Sequence, residues 1–265
     1  MSIIRKVVRG RPFFKFHNVP SFVEEIKFSE EILNALDGWV EKQKQTLDNA
    51  VNEVFKKWPG QLKAWKKAEN KAILPRLKDF AHDVKESNLP KFDKDKCLEF
   101  LKRQIIDLED YVQDVYKLLA DIDHLKNYLP PDTKLDSHLD YLKRLTEKNQ
   151  AKNNLDYFDM SLILRLIQLK NGGLPDGSGG VVLLDHLVID EAQDFGPVEF
   201  AIMMSAVSDK HQMTIVGDVA QKILSARKFI GWNRVVSNLG MEDDSIIRLE
   251  VSFRCTVPIM TLAHK

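Results

Sequence analysis

Only two cysteines, Cys97 and Cys255, occur in 265 residues, and they stand far apart with no CxxC pair and no Cys/His cluster. That spacing excludes a disulfide scaffold and a zinc site, and it predicts a reducing, cytoplasmic setting. No run of about eighteen apolar residues is present, and Met1-Ser2-Ile3-Ile4 leads straight into Arg5 and Lys6. Neither a membrane span nor a signal peptide is predicted. Net charge is also missing, because 39 Lys and Arg offset 39 Asp and Glu. The whole chain is therefore no polycation, and any surface for nucleic acid or for an acidic partner has to be local. The 44% of hydrophobic residues is enough to bury a sizeable core in one large or two medium domains.

The first 28 residues mix β-favouring runs (Lys6-Val7-Val8 and Phe13-Phe14-Lys15-Phe16) with Gly10, Pro12 and Pro20, which predicts a hairpin or irregular lead-in. At Ser29 the period changes to that of a helix. Ser29 offers a cap oxygen, Glu30 and Glu31 suit the positive helix end, and Ile32, Leu33, Leu36 and Val40 share one face. The spacing resumes at Leu47, Val51, Val54, Phe55 and Trp58 until Pro59-Gly60 breaks it. A second amphipathic segment carries Leu62, Trp65, Ile73, Leu77, Phe80 and Val84, with Pro75 expected to kink or divide it. A third is the most regular: Leu98, Leu101, Ile105, Leu108, Val112, Val115, Leu119 and Ile122 form an unbroken heptad stripe. Pro130-Pro131 lies near its end, and Leu135, Leu139, Leu142 and Leu145 begin a short helix. Residues 29–150 thus predict an all-helical bundle or arm whose Leu and aromatic stripes are core.

Within that region Lys56, Lys57, Lys63, Lys66, Lys67, Lys71, Arg76 and Lys78 crowd a stretch whose one internal acid is Glu69, with Trp58 and Trp65 among them. Two readings stand. Basic residues interleaved with indoles suit a phosphate backbone and a stacked base, which would make Lys63, Lys66, Lys67 and Trp65 nucleic-acid contacts. Equally, a helix face of lysines can simply face water while its tryptophans pack inside.

From residue 151 the character shifts. Leu155-Asp156-Tyr157-Phe158-Asp159 leads into a short buried helix through Leu162, Ile163, Leu166, Ile167 and Leu169, and the five glycines and Pro175 of residues 171–180 make a flexible loop. Leu187-Val188-Ile189 then ends abruptly in Asp190-Glu191, as a strand buried on both faces and delivering charge to the sheet's edge would. Met213-Thr214-Ile215-Val216 ends likewise in Gly217-Asp218, and a third run, Ser245 to Glu250, leads past Phe253-Arg254. Strands alternating with helices predict an α/β fold with a parallel sheet. In such sheets ligands bind at the strands' carboxyl ends. Adjacent carboxylates there have separable uses: one holds Mg²⁺ through water, the other orients or deprotonates an attacking water.

A triphosphate hydrolase needs a metal-holding acid, a water-orienting group, a neutral sensor and a cation for charge on the γ-phosphate, and those residue types follow in this order. Read together, Val188 to Asp194, Ile215 to Ile223 and Leu249 to Arg254 resemble consecutive motifs of superfamily one helicases of the UvrD/Rep type. Trp232 and the Ser252-Phe253-Arg254 core are closer to the helicase IV (HelD-like) branch. The resemblance covers roughly residues 157–265. It implies a partial RecA-like motor domain over 151–265, with 29–150 as a helical insertion and 1–28 as lead-in.

By the same resemblance the cofactors are ATP and Mg²⁺ and the partner is DNA, single-stranded or at a duplex–single-strand junction. Asp190 is then the Mg²⁺ ligand and Glu191 activates water. Gln221 senses the γ-phosphate, Arg254 stabilises transferred charge, and Asp218 links the sensor to the site. The family's aromatic residue after the sensor is replaced by Ile223-Leu224, so base stacking is not carried over to that point. A larger departure is that GxxxxGK[ST], the loop that binds the β- and γ-phosphates, occurs nowhere in the sequence. The expectation is therefore a piece of a longer helicase, inactive by itself. The alternative is a non-catalytic module whose helical arm engages DNA or a protein such as a polymerase while the nucleotide motifs are remnants.

Overall fold

The structure is a computed structural model that describes residues 19–68, 72–132, 134–209, 212–218, 231–239 and 246–249. The chain divides into two compact units, 1–229 and 230–265. Among the described residues the first begins with α1 (Ser21–Lys27), which corrects the hairpin or irregular reading for the described end of the lead-in. Pro20 sits at the N-cap with an extended backbone, and Val23 and Ile26 turn one face inward. After α1 comes α2 (Glu30–Phe55), a single helix whose start was legible: the Ser29 hydroxyl accepts from the Ile32 amide at 3.1 Å. Its buried stripe runs from Ile32 and Leu36 to Val51 and Phe55.

Pro59 does not merely end that helix. It opens α3 (Pro59–Lys67) from the first turn, where its missing N–H costs nothing. Next is α4 (Ile73–Glu86), and the division falls before Pro75, which lies inside the first turn of α4. The long heptad stripe is three helices rather than one: α5 (Lys91–Leu108), α6 (Tyr111–Ala120) and α7 (Ile122–Lys126). Asp110 caps α6 through the Gln113 amide at 3.2 Å, and Asp121 caps α7 through the His124 amide at 3.0 Å. Apolar residues continue at helical spacing across both breaks, which is why the stripe alone reads as unbroken. Then follow α8 (Leu135–Ala151) and α9 (Asp159–Asn171), which packs on α2, α4 and α6. Gly172, at φ +77°, closes α9 in a left-handed turn.

These helices share one apolar core, from Val23 through Leu36, Phe55, Leu77, Leu101, Val115, Leu142 and Leu166 to Val198 and Ile202 of α10 (Pro197–Met204). Two buried lysines fasten α9 at its ends. Lys27 lies 2.5 Å from Asp159, and Lys170 pairs with Asp114 while donating to the Leu108 carbonyl at 2.8 Å. Midway, Arg165 reaches Asp37 of α2 at 3.1 Å. Burial lowers the Lys170 ammonium's affinity for its proton, and the Asp114 carboxylate opposes that shift.

The loop after α9 turns at Asp176, whose carboxylate accepts from the Ser178 and Gly180 amides at 2.7 and 3.1 Å. Bonds from Ser178 hold that carboxyl below its ordinary value. Two strands follow, β1 (Leu187–Ile189) and β2 (Met213–Ile215), paired parallel with Leu187 opposite Met213 and Ile189 opposite Ile215. Burial on both faces was expected for β1, yet Val188 is 64% exposed while Ile189 is buried. One face of the pair lies against the unit and the other is open. The third expected strand does not form among the described residues: 246–249 are irregular, with Ile247 and Leu249 more than four-fifths exposed. In the second unit α11 (Trp232–Leu239) turns Val235 and Val236 inward and Asn233 and Arg234 outward.

Candidate functional site

Because β1 and β2 run parallel and in step, their carboxyl ends reach the same edge. Hydrogen bonds join the two chains beyond the strands, with the Val216 amide donating to the Ile189 carbonyl at 2.8 Å and the Ala192 amide to the Val216 carbonyl at 2.9 Å. Asp190 leaves β1 exposed, and its Oδ1 accepts from the Glu191 amide at 2.9 Å. Glu191 takes the left-handed conformation, φ 52° and ψ 42°, at a cost on the order of 1 kcal/mol for a residue with a side chain. That turn reverses the chain into the short 3₁₀ segment Ala192–Asp194, closed by the Asp194 amide on the Glu191 carbonyl at 2.9 Å. Both carboxylates stay exposed at the sheet's edge as a result.

Gln193, 1% exposed, ties this turn to the end of β2. Its Nε2 donates to Glu191 Oε2 at 2.6 Å, and its Oε1 accepts from the Asp218 amide at 2.9 Å. Gly217 is what lets the two loops approach. A Cβ there would stand 2.5 Å from Gln193 Oε1 and 3.0 Å from the Ala192 amide nitrogen. The α10 helix behind the turn is fixed by Glu199, which accepts from the Gly196 amide at 2.9 Å.

Of the residues singled out from sequence, Asp190, Glu191 and Asp218 come together at this edge. Gln221 and Arg254 lie outside the described residues, as does the aromatic-free Ile223-Leu224 step. Lys63, Lys66 and Lys67 stand exposed on α3, and no ion pair engages them among the described residues. Trp65 is different, and the reading of it as a base-stacking residue is corrected. It is 1% exposed, donates its indole N–H to Asp48 at 2.9 Å, and has the Arg76 guanidinium 3.6 Å from its ring centroid. A ring sealed by a cation and packed on Phe80 has no free face for a base.

Gln193 was not among the residues singled out from sequence. No spacing rule marks a side chain whose partner lies 25 residues away. Among the described residues there is no cluster of three potential metal ligands, so Asp190 stands as a single carboxylate with Glu191 beside it.

The UvrD/REP helicase N-terminal domain matches residues 22–228, well over half of the sequence. The chain belongs to that family. As a UvrD/REP helicase N-terminal domain it contains nearly all of α1, then α2 to α10 and both strands, within the matched residues. It is similar to ATP-dependent DNA helicase srs2 of Schizosaccharomyces pombe, 31% identical over 134 residues that make up 50% of this chain and 14% of that protein. It is also similar to the probable DNA helicase II homolog of Mycoplasma capricolum, 24% identical over 188 residues, 68% of this chain and 24% of that protein. The chain thus matches a quarter or less of each relative's length. No helix among the described residues is long and apolar enough to cross a membrane.

Proposed function

We propose that this chain is part of an ATP-dependent DNA helicase or translocase and supplies the hydrolytic half of its nucleotide site, with residues 151–265 as motor and 29–150 as a helical insertion. The reading rests on one observation above others: the parallel register of β1 and β2 gathers Asp190, Glu191 and Asp218 at a single open edge. In this assignment Asp190 holds Mg²⁺ and Glu191 orients the attacking water. Asp218 links them towards Gln221 as γ-phosphate sensor and Arg254 as the cation for transferred charge. The donor set suits Mg²⁺, which gives up water reluctantly and is held by one or two carboxylates together with phosphate oxygens. When bound, the ion would neutralise phosphate charge. Trp232 and Ser252-Phe253-Arg254 support the helicase IV branch, and the low cysteine content supports a cytoplasmic setting.

The sequence holds no GxxxxGK[ST]. By itself, then, the chain hydrolyses no ATP and unwinds no DNA. Mg²⁺-dependent ATPase from the chain alone, abolished by Glu191→Gln, would overturn this. In a longer polypeptide that carries such a loop, Glu191→Gln lowers kcat by about 100-fold or more, and an unchanged kcat removes Glu191 from the chemistry.

A second reading, a binding module whose helical arm engages DNA or a protein, is favoured by the exposed lysines of α3. Several lysines elsewhere pair with acids, as Lys56 does with Glu53, Lys78 with Glu109 and Lys126 with Asp136. Lys63, Lys66 and Lys67 do not among the described residues. Reversing their charge should weaken DNA binding and flatten its salt dependence. Unchanged affinity and salt slope would remove this face from the interface.

A further inference from the structure

A buried amide stands between the Glu191 carboxylate and the end of β2. Gln193 is 1% exposed, donates through Nε2 to Glu191 Oε2 at 2.6 Å and accepts through Oε1 from the Asp218 amide at 2.9 Å. Its orientation is fixed by chemistry. A backbone N–H only donates and a carboxylate only accepts, so the amide oxygen has to meet Asp218 and the amide nitrogen has to meet Glu191.

No other side chain of this length serves both partners. A glutamate would keep the Asp218 bond but set a second carboxylate against Glu191. A methionine would fill the volume and satisfy neither. Gly217 completes the arrangement, since any Cβ there would fall 2.5 Å from the same oxygen that accepts from Asp218.

We propose that Gln193 is a positioning residue that relays the position of the Glu191 carboxylate to the end of β2, through its two-sided hydrogen bond and into the Asp218 backbone. A change of rotamer at Glu191 loosens the Nε2 bond, frees the amide to move, and releases the Asp218 N–H at the start of the segment that continues to Gln221. The proposal gives the hydrolytic site assigned above a connection from β1 to β2, and in that sense rests on that assignment. Its test needs no nucleotide.

Amide resonances and hydrogen exchange of the 265-residue chain decide the matter. In Gln193→Met, the Asp218 amide should exchange about 10-fold faster or more, while the Val216 amide, bonded to Ile189, keeps its protection and reports an intact sheet. Gln193→Glu should keep the Asp218 protection that the methionine variant loses. The relay itself is read from Glu191→Gln, which should move the Asp218 resonance in the wild-type background and leave it in place when Gln193 is already Met. Equal movement in both backgrounds, or in neither, overturns the relay. Loss of ATPase in a loop-bearing Glu191→Gln protein bears on the hydrolytic assignment alone, so the two failures are distinguishable.

Discussion

The bundle and the sheet edge treat charge in opposite ways. In the bundle, Lys27, Arg76, Asp114, Asp159 and Lys170 are buried and each meets a counter-charge on another helix or the loop beside it. At the edge, Asp190 and Glu191 are exposed, and the buried polar side chain beside them among the described residues is the neutral Gln193. Buried pairs contribute little net stability because desolvation offsets their attraction, but they fix which helix faces meet. The exposed carboxylates each accept one local hydrogen bond and otherwise face water, where a cation can meet them. The difference separates two uses of charge: in the bundle it sets which faces meet, and at the sheet edge, on the assignment proposed above, it serves the chemistry.

The largest expected effect strikes the bundle's half of that comparison. Lys170→Ala leaves Asp114 buried with only the Gln43 amide, 2.7 Å away, and leaves the Leu108 carbonyl without its donor. It should cost about 3–5 kcal/mol in urea unfolding, whereas replacing both partners by apolar residues, Lys170→Met with Asp114→Leu, should recover most of it. A single-variant cost below about 1 kcal/mol would mean that the pair is not what fastens α9.

A smaller effect sits beside it. Burial pushes the Tyr111 hydroxyl up to about 12 from 10.0, with Asn171 donating to it at 3.0 Å. A raised folded-state value means the native chain keeps its proton after the unfolded chain has released its own. The contribution is therefore whole below pH 10 and lost as pH climbs towards 12. Lys170, lowered by burial, works in the other sense over its own range. Tyr111→Phe should remove about 2 kcal/mol of the alkaline loss between those limits. Equal pH slopes for the two proteins in urea titrations would show that Tyr111 is not buried as described.

Much of the helical half could be read from sequence because its signals are local. Ser29 caps the helix it precedes, Pro59 marks a helix boundary, and the stripe from Leu98 to Ile122 is core. The breaks at Glu109 and Asp121 were hidden because the apolar spacing from Leu108 to Val112 and from Leu119 to Ile122 stays helical across them, while the caps are single aspartates among many acids. At the site, Asp190 and Glu191 were legible as charge ending an apolar run, and Asp218 as the end of the next. The partners of Gln193 and Trp65 were not, since each depends on a distant backbone or side chain brought in by packing. Burial of β1 was over-read: three branched or apolar residues in a row resemble a strand covered twice, but coverage depends on what packs over it.

The smallest expected effect tests that last point within one strand. Val188 and Ile189 are neighbours pointing to opposite faces, one 64% exposed and the other 3%. Val188→Thr keeps the β-branched shape, adds a hydroxyl that water can reach, and should change stability by less than about 0.5 kcal/mol. Ile189→Thr puts the same hydroxyl against the unit's interior and removes buried apolar atoms, for about 1–3 kcal/mol. A large asymmetry between two adjacent and equally branched residues would locate the open face of the sheet without reference to any ligand. Equal costs would mean that Val188 is covered in solution, and that the sheet edge is as closed as the bundle it has been set against.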